Sequence, residues 1–549
     1  MTRVLSKYLP VFAVLGATLG AASCTDLAEN PVTEITEENF NPTEADLAAL
    51  LGGVYTNMRG WFMGWYGYVD VIGETGDLLI TPQRPNGWVD GGVYRFRHEH
   101  NWTTTRGAVT GAWGRSYGLI VEANRLINQI ETGFVPLDAA TQQAAIAEIR
   151  ALRAFAYTFL LDWFGRAPIS IDFTDTSLPE QASRQELYDF VVQEFTDVIA
   201  DLSEMTGTGM YGRINKWAAL GILARVQLNA EVYTGSPAYA EVIALTDEII
   251  NSGEFQLESE YRAVFARDNH SSSEMIWGLP YDAISGGGSN FHMKTLKPEL
   301  QYALNLNAQP WGGSAANPQF IATYDDDDTR LEDSWLMGDV YSSDGRGYTF
   351  VQHVPGISSV SGDIVQFDHG FPVWKYEIYA GMTGSSDVDY PILRYAEVLM
   401  MKAEALLRTG NAAGAAALVT QVRQRAFRET DPARAMVTAG DLMGGSRYNY
   451  GYYHRDGTVR DNSDPNSAIV TNGGADVPLG GFLDELAWEF AVEGHRRQHL
   501  IRFGVFTTKS WFNHEADLLR LGSADHLLLF PIPQGAIDEN SNLTQNAGY

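Results

Sequence analysis

Aromatic side chains gather in this chain where glycine is dense. Trp61, Trp65, Tyr66 and Tyr68 fall in one stretch, Trp88, Tyr94 and Trp102 in the next, and Trp277, Tyr281 and Trp311 in a later one. A ring held in a loop can stack on the apolar face of a sugar while Arg, Asn and Asp bond the hydroxyls. Arg84, Asn86, Trp88 and Asp90 supply both functions within seven residues. Pro82, Pro85 and Gly87 deny that segment a helix. Trp88 is therefore expected as the central stacking ring, with Arg84, Asn86 and Asp90 as polar partners and Tyr281 and Trp311 as further ligand-binding residues. The competing expectation for any single ring is burial in the core.

Other spacings point to chemistry less strongly. Gly207, Gly209 and Gly212 spell GxGxxG before a helix, but a dinucleotide site needs a buried strand upstream, and an amphipathic helix ending DLSEM stands there instead. His495 and His499 are four apart on a helical pattern, a spacing that can ligate zinc, yet no HExxH is present and no third ligand can be named. Their neighbours Glu485, Glu489 and Glu493, with Arg496 and Arg497 one turn on, read as an i, i+4 ion-pair ladder fixing a helix to its surroundings. His98 and His100 alternate as on a strand. Asp325 to Asp328 lack the spaced pattern of a calcium loop and read as a solvated acidic turn. Glycosidic hydrolysis needs two carboxyls about 5–10 Å apart, and one sequence with 68 acids selects no pair. No catalytic residue, metal or cofactor is expected.

These residues need elements to position them. Helical periodicity runs through Leu47–Tyr55, Trp113–Ile130, Ala144–Trp163, Gln185–Leu202, Lys216–Tyr233 and Tyr239–Asn251. It returns at Pro391–Arg408, Ala412–Phe427 and Phe482–Phe503. Residues 254–390 and 428–480 are irregular and rich in Gly, Ser and Asp. The spacing predicts a mainly α, tetratricopeptide-like helical-repeat scaffold (44–253, 391–427 and 482–504) with large loop-rich insertions, in one domain spanning 44–549. Long loops on a rigid scaffold are the usual way to present a binding face.

The N-terminus is a different kind of segment. Arg3 and Lys7 precede an apolar run from Leu9 to Ala22, which is too short to span a bilayer and ends at Cys24, the single cysteine of the chain. Residues 1–23 are expected to be a secretory signal, Cys24 the lipidated residue, and 24–43 a polar tether to the membrane. A formal charge of −30 repels phosphate backbones, so no nucleic-acid partner is expected.

Four segments then carry a resemblance. RALRAFAYTFLLDWFGRAP (150–168), PILRYAEVLMMKAEALLRTG (391–410), ELAWEFAVEGHRRQHLIRFG (485–504) and FPIPQGAIDENSNLTQNAGY (530–549) follow one another as in the SusD/RagB family of outer-membrane nutrient-binding lipoproteins. ETGDLLITPQRPNGWVDGGVYRFRHEHNW (74–102) resembles a segment of one family branch. His499 departs from the Asp frequent there. The resemblance implies a four-repeat helical scaffold, a ligand surface on its irregular side, and a lipid-anchored, surface-exposed protein that delivers an oligosaccharide to a SusC-like TonB-dependent transporter. Peptide capture, a secreted glycoside hydrolase and a purely structural surface protein are the alternatives.

Overall fold

A computed structural model describes residues 42–84, 90–285, 287–342, 345–354, 366–451, 473–512 and 524–549. Residues 1–41, which include the expected signal, Cys24 and most of the expected tether, lie outside the described residues. The helices used below are α1 (Leu47–Phe62), α2 (Tyr68–Thr75), α3 (Val93–His98), α4 (Gly107–Glu131), α5 (Ala139–Phe159), α6 (Arg184–Val198), α7 (Lys216–Leu228), α8 (Tyr239–Ser252), α9 (Phe291–Thr295), α10 (Tyr395–Arg408), α11 (Ala412–Phe427), α12 (Gly480–Glu489) and α13 (Arg496–Arg502).

The helices stack in succession: α1 on α4, α4 on α5, α5 on α6, α6 on α7, α7 on α8, α8 on α10 and α10 on α11. The scaffold thus skips about 140 residues of chain between α8 and α10 and closes over the gap. Apolar residues at three- and four-residue spacing give each helix its buried stripe; in α5, Ile149, Leu152, Ala156 and Phe159 are all buried. Caps fix the starts. Asp138 accepts the amides of Ala140 and Thr141 ahead of α5, and Ser183 with Glu186 forms a capping box on α6. After α5 one wide π turn, Leu160–Phe164, ends at Gly165 in the left-handed region (φ 70°).

Strands are few and short. Four antiparallel pairs occur among the described residues: β1 (Leu79–Ile80) with β5 (Ala315–Ala316), β2 (Ala167–Pro168) with β3 (Gln181–Ala182), β4 (Met275–Leu279) with β8 (Tyr390–Arg394), and β6 (Gly338–Tyr341) with β7 (Gly347–Phe350). Pro391 does not open a helix as its periodicity suggested. It lies in β8 opposite Gly278, where the ladder is irregular and a missing N–H is tolerated, and the helix starts at Tyr395.

The final helix is also two helices. Between α12 and α13 the chain turns, with Val492 (φ 60°) and Gly494 (φ 82°) left-handed. A Cβ on Gly494 would fall 2.3 Å from the Tyr68 ring, so only glycine fits. With the chain turned here, Glu489 and Glu493 both enter one buried network. There Glu274, Asp328, Glu485, Glu489 and Glu493 face Arg330, Arg394, Arg423, Arg425 and Lys375. Arg394 alone reaches Glu274 (2.8 Å), Glu489 (2.7 Å) and Glu493 (2.7 Å). The expected i, i+4 ladder is therefore replaced by pairs between distant elements. Arg496 pairs instead with Asp77 (2.6 Å), and Arg497 donates to the Leu528 carbonyl (2.8 Å).

Candidate functional site

Where α1 ends, the chain runs Met63-Gly64-Trp65-Tyr66-Gly67 into α2. The turn is tight: a Cβ on Gly67 would lie 2.7 Å from the carbonyl oxygens of Trp61 and Phe62. Tyr66 takes the left-handed conformation (φ 61°), and its amide donates to Asp70 Oδ2 (3.0 Å). These constraints push Trp65 outward, 41% exposed. Its backbone N–H donates to Asn290 Oδ1 (2.8 Å) and its indole N–H to Tyr94 Oη (2.7 Å), so the ring is held although it faces solvent.

Trp311, 36% exposed, meets it from a distant stretch of chain. Its amide donates to the Met293 carbonyl of α9 (2.8 Å), and that of Gly313 to the Lys294 carbonyl (3.0 Å). The Trp65 and Trp311 ring centroids stand 5.9 Å apart with their planes at 65°. Two inclined indoles on braced backbones form an apolar surface that can take the C–H face of a sugar ring.

A charged foundation lies beneath. Lys294 Nζ is 2.7 Å from Asp70 and also contacts Glu74, while Arg97 reaches Asp70 at 2.9 Å. All four are buried. Burial raises the Asp70 carboxyl, but Lys294 and Arg97 outweigh it and hold it below the ordinary value. Glu74 is raised by burial, and the Asp70 charge adds to this. The Arg97 guanidinium lies 4.6 Å from the Tyr66 ring and Lys294 Nζ 4.6 Å from the Tyr94 ring, so the cations brace the turn through its aromatics.

The residues expected to bind ligand are placed unequally. Trp311 is in the exposed pair. Asn86 and Trp88 lie outside the described residues, as does the Asp90 side chain. The described ends of that segment are both near the pair: Arg84 bonds the Gly313 carbonyl, and Tyr94 bonds Trp65. Arg84 itself is buried, with its guanidinium spent on the carbonyls of Gly313, Gln366 and His369. Tyr281 is also buried; its hydroxyl accepts from the Met63 amide (3.0 Å) and donates to the Arg59 carbonyl (2.8 Å), which steadies the turn from behind. Neither side chain has a polar group left to face a ligand. Trp61, Trp102 and Trp277 are core. Trp65 was absent from the expected set, and its signal was the pair Gly64 and Gly67, which interrupts the helical period around it.

The remaining motifs resolve as structure. His98 and His100 lie on α3 and the turn after it, not on a strand. Their Nε2 atoms meet the carbonyls of Phe512 (2.6 Å) and Thr75 (2.9 Å). The His495 and His499 rings stack 6.0 Å apart, with His495 Nε2 3.8 Å from Glu397. Burial lowers His98 and His495 to about 4 and His100 to about 3, so all three are neutral at pH 7. Asp328 is buried against Arg330 (2.7 Å), whereas Asp325 and Asp327 pair with Arg434, so the acidic turn is less solvated than expected. Gly207 and Gly212 are left-handed residues of the loop before α7. Among the described residues no group of three or more His, Cys, Asp or Glu is placed to hold a metal.

The molecule is thus a helical-repeat scaffold whose irregular segments present a braced aromatic surface. Residues 367–549 match the model of the SusD family, and residues 74–228 match a model described as starch-binding, associating with outer membrane. The starch-binding protein SusD of Bacteroides thetaiotaomicron is 26% identical over 480 residues, covering 78% of this chain and 76% of that protein. SusD-like protein P2 of Formosa agariphila is 27% identical over 440 residues, covering 77% and 82%. Among solved structures, a laminarin-binding SusD-like protein aligns with a TM-score of 0.68 at 20% identity, over 92% of this chain and all of that one. Surface glycan-binding protein A from Bacteroides thetaiotaomicron in complex with laminarihexaose aligns at 0.63 and 17% identity, over 92% and 99%. The chain belongs to the SusD/RagB family.

Proposed function

We propose that this protein captures an oligosaccharide on the Trp65–Trp311 surface and passes it to a SusC-like TonB-dependent transporter, with no chemistry of its own. The reading rests on one observation above the others: two tryptophans from distant parts of the chain are exposed together while hydrogen bonds hold both backbones and one indole. Exposing apolar area costs free energy, and fixing it adds an entropic cost, so a rigid exposed pair makes sense as one half of a contact. Relatives named for starch and laminarin binding support a glucan as the ligand class. Capture of this kind needs stacking and hydrogen bonds only, and the buried Arg84 and Tyr281 serve it by holding the frame.

Calorimetry with laminarihexaose and maltohexaose tests this. A nucleobase stacked on an aromatic ring contributes about 1–3 kcal/mol, and by analogy with it Trp311→Ala and Trp65→Ala should each weaken binding roughly tenfold or more. Trp88→Ala enters the same assay as the third proposed ring. The reading fails if both hexaoses bind the Trp311→Ala, Trp65→Ala double variant as they bind the native protein. Release of shorter products from a labelled hexaose would instead favour a hydrolase, and binding of peptides alone the peptide-capturing alternative.

Anchoring at the outer membrane through a lipid on Cys24 belongs to the same proposal. Lipid chains contribute about 0.8 kcal/mol per buried methylene, and no described helix is long and apolar enough to cross a membrane. Cys24→Ala should appear in the soluble fraction or retain its signal. Full retention of that variant in salt-washed outer membranes would place the anchor elsewhere.

A further inference from the structure

Arg84 and Lys297 are buried cations whose hydrogen bonds go to backbone carbonyls rather than to a carboxylate. Arg84 is 3% and Lys297 1% exposed, and Glu299 and Asp368 act on both through their charge, with no salt bridge to either among the described residues. Arg84 donates to Gly313 O through Nε (3.1 Å) and Nη2 (2.8 Å), and through Nη1 to Gln366 O (2.6 Å) and His369 O (2.8 Å). Lys297 Nζ donates to His369 O (3.1 Å) and Gly370 O (2.9 Å), and lies 4.4 Å from the Phe350 ring. Two cations therefore tie together the strand-end segment carrying Arg84, the Trp311–Gly313 stretch and residues 366–370.

Burying two like charges side by side is expensive. Desolvation pulls both groups below their ordinary values, and Arg84 adds to the depression of Lys297, while the charges of Glu299 and Asp368 offset part of it in both. A neutral apolar contact could close three loops at less cost, so the arrangement calls for a reason beyond stability. Its position supplies one. Gly313 is two residues from Trp311, and both backbone amides are bound on their other side to α9 carbonyls. The Trp311 stretch is thus gripped between α9, whose Lys294 lies against the Tyr94 ring that bonds Trp65, and the Arg84 guanidinium. Gly313 fits the grip only as glycine: its φ is 144°, and a Cβ would lie 2.9 Å from Arg84 Nε and 3.3 Å from Lys297 Cγ.

We infer that Arg84 and Lys297 are positioning residues that set Trp311 in its ligand-ready place by clasping the carbonyls of Gly313, Gln366, His369 and Gly370. The inference rests on the proposed Trp65–Trp311 surface but is tested apart from it. Hydrogen–deuterium exchange of the ligand-free protein comes first. Arg84→Met should speed exchange in peptides covering 311–316 and 366–371, with Arg84→Lys restoring part of the protection. Binding of laminarihexaose and maltohexaose comes second. Arg84→Met should weaken it roughly tenfold, a loss of about 1.4 kcal/mol. In a Trp311→Ala background the same change should add almost nothing, because the clasp acts through that ring.

Lys297→Met, which removes the second cation and leaves the backbone at 313 as it is, should speed exchange at 366–371 and weaken binding in the same direction, and decides the matter if Arg84→Met does not fold. Unchanged exchange at 311–316 would overturn the inference, and so would an equal loss of binding with and without Trp311. If neither hexaose binds the native protein, or Trp311→Ala binds like it, the capture proposal fails while the exchange result still judges the clasp.

Discussion

Trp163 and Trp65 both follow the end of a long helix, and they meet opposite fates. Trp163 closes the π turn after α5 and is 2% exposed, stacked on Tyr68 (5.7 Å, 2°) and edge-on to Phe159 and Phe530. Trp65 leaves α1 between two glycines and faces solvent against Trp311. The chemistry of the side chain is the same. What differs is whether the ring continues the 3.6-residue stripe of its helix or is lifted out of it by a turn that only glycine can make. A ring in phase with the stripe becomes scaffold; one held out of phase by hydrogen bonds becomes surface.

The sharpest way to break that division is to attack the scaffold at its charged centre. Burial pushes the Glu489 carboxyl up, yet Arg425, Arg394 and Arg330 outweigh it and hold it well below the usual range. Glu489→Gln leaves those guanidiniums short of a counter-charge inside the protein. Removing one partner of a buried pair costs about 3–5 kcal/mol, so the variant should show a large drop in denaturant midpoint. A change of midpoint no larger than that of a surface substitution would mean that the network is not structural. Ligand affinity in whatever fraction remains folded should be close to native.

The tryptophans themselves come next. Trp163→Ala should cost about 3–5 kcal/mol through lost burial and the cavity left behind. Trp65→Ala should move stability by far less, since its ring is part exposed, and should show its effect in hexaose binding instead. If Trp65→Ala destabilises as much as Trp163→Ala, the exposed pair is packing and the comparison collapses.

Most of the scaffold was legible because its helices keep their period: α4, α5, α6, α8 and α11 lie where the apolar spacing put them. Two errors have physical causes. Glu485, Glu489 and Glu493 preserve a four-residue spacing across a point where the chain turns, and only the distant Arg394 reveals that Glu489 and Glu493 share a partner. Pro391 reads as a helix start, but its neighbours are claimed by Met275–Leu279 across the fold. The site was legible only in part. Composition pointed to rings in glycine-rich stretches, and Trp311 is one of them. Whether a ring or an arginine faces out depends on contacts such as Arg84 with Gly313, which lie 229 residues apart in sequence. No local pattern encodes that.

The smallest effect concerns acid, and it separates the two regions by protonation rather than by mutation. His98, His100, His495 and His499 are all buried in the scaffold, and burial lowers each below 6.5. The unfolded chain therefore binds protons that the folded one refuses between pH 6.5 and about 4, the value for His98 and His495. Stability from these groups is complete above pH 6.5 and is lost as the pH falls through that window. Asp484, which burial raises to about 7, works against them, since its protonation on acidification favours the folded state. Asp333, raised by burial to about 6, and Glu74, Asp389 and Glu485, raised in the same direction, oppose them too, whereas His292 and His369 are lowered like the other four. With six imidazoles against five carboxyls, a falling denaturant midpoint is expected from pH 7 to 5. His495→Phe should flatten the slope, as the imidazole then no longer competes for a proton. The Trp65–Trp311 pair carries no group that titrates there, so hexaose affinity of the folded protein should stay constant over the same range. A slope that His495→Phe leaves unchanged would show that this imidazole is not held neutral, and affinity that follows pH while the fold is intact would show that scaffold and site are not separate.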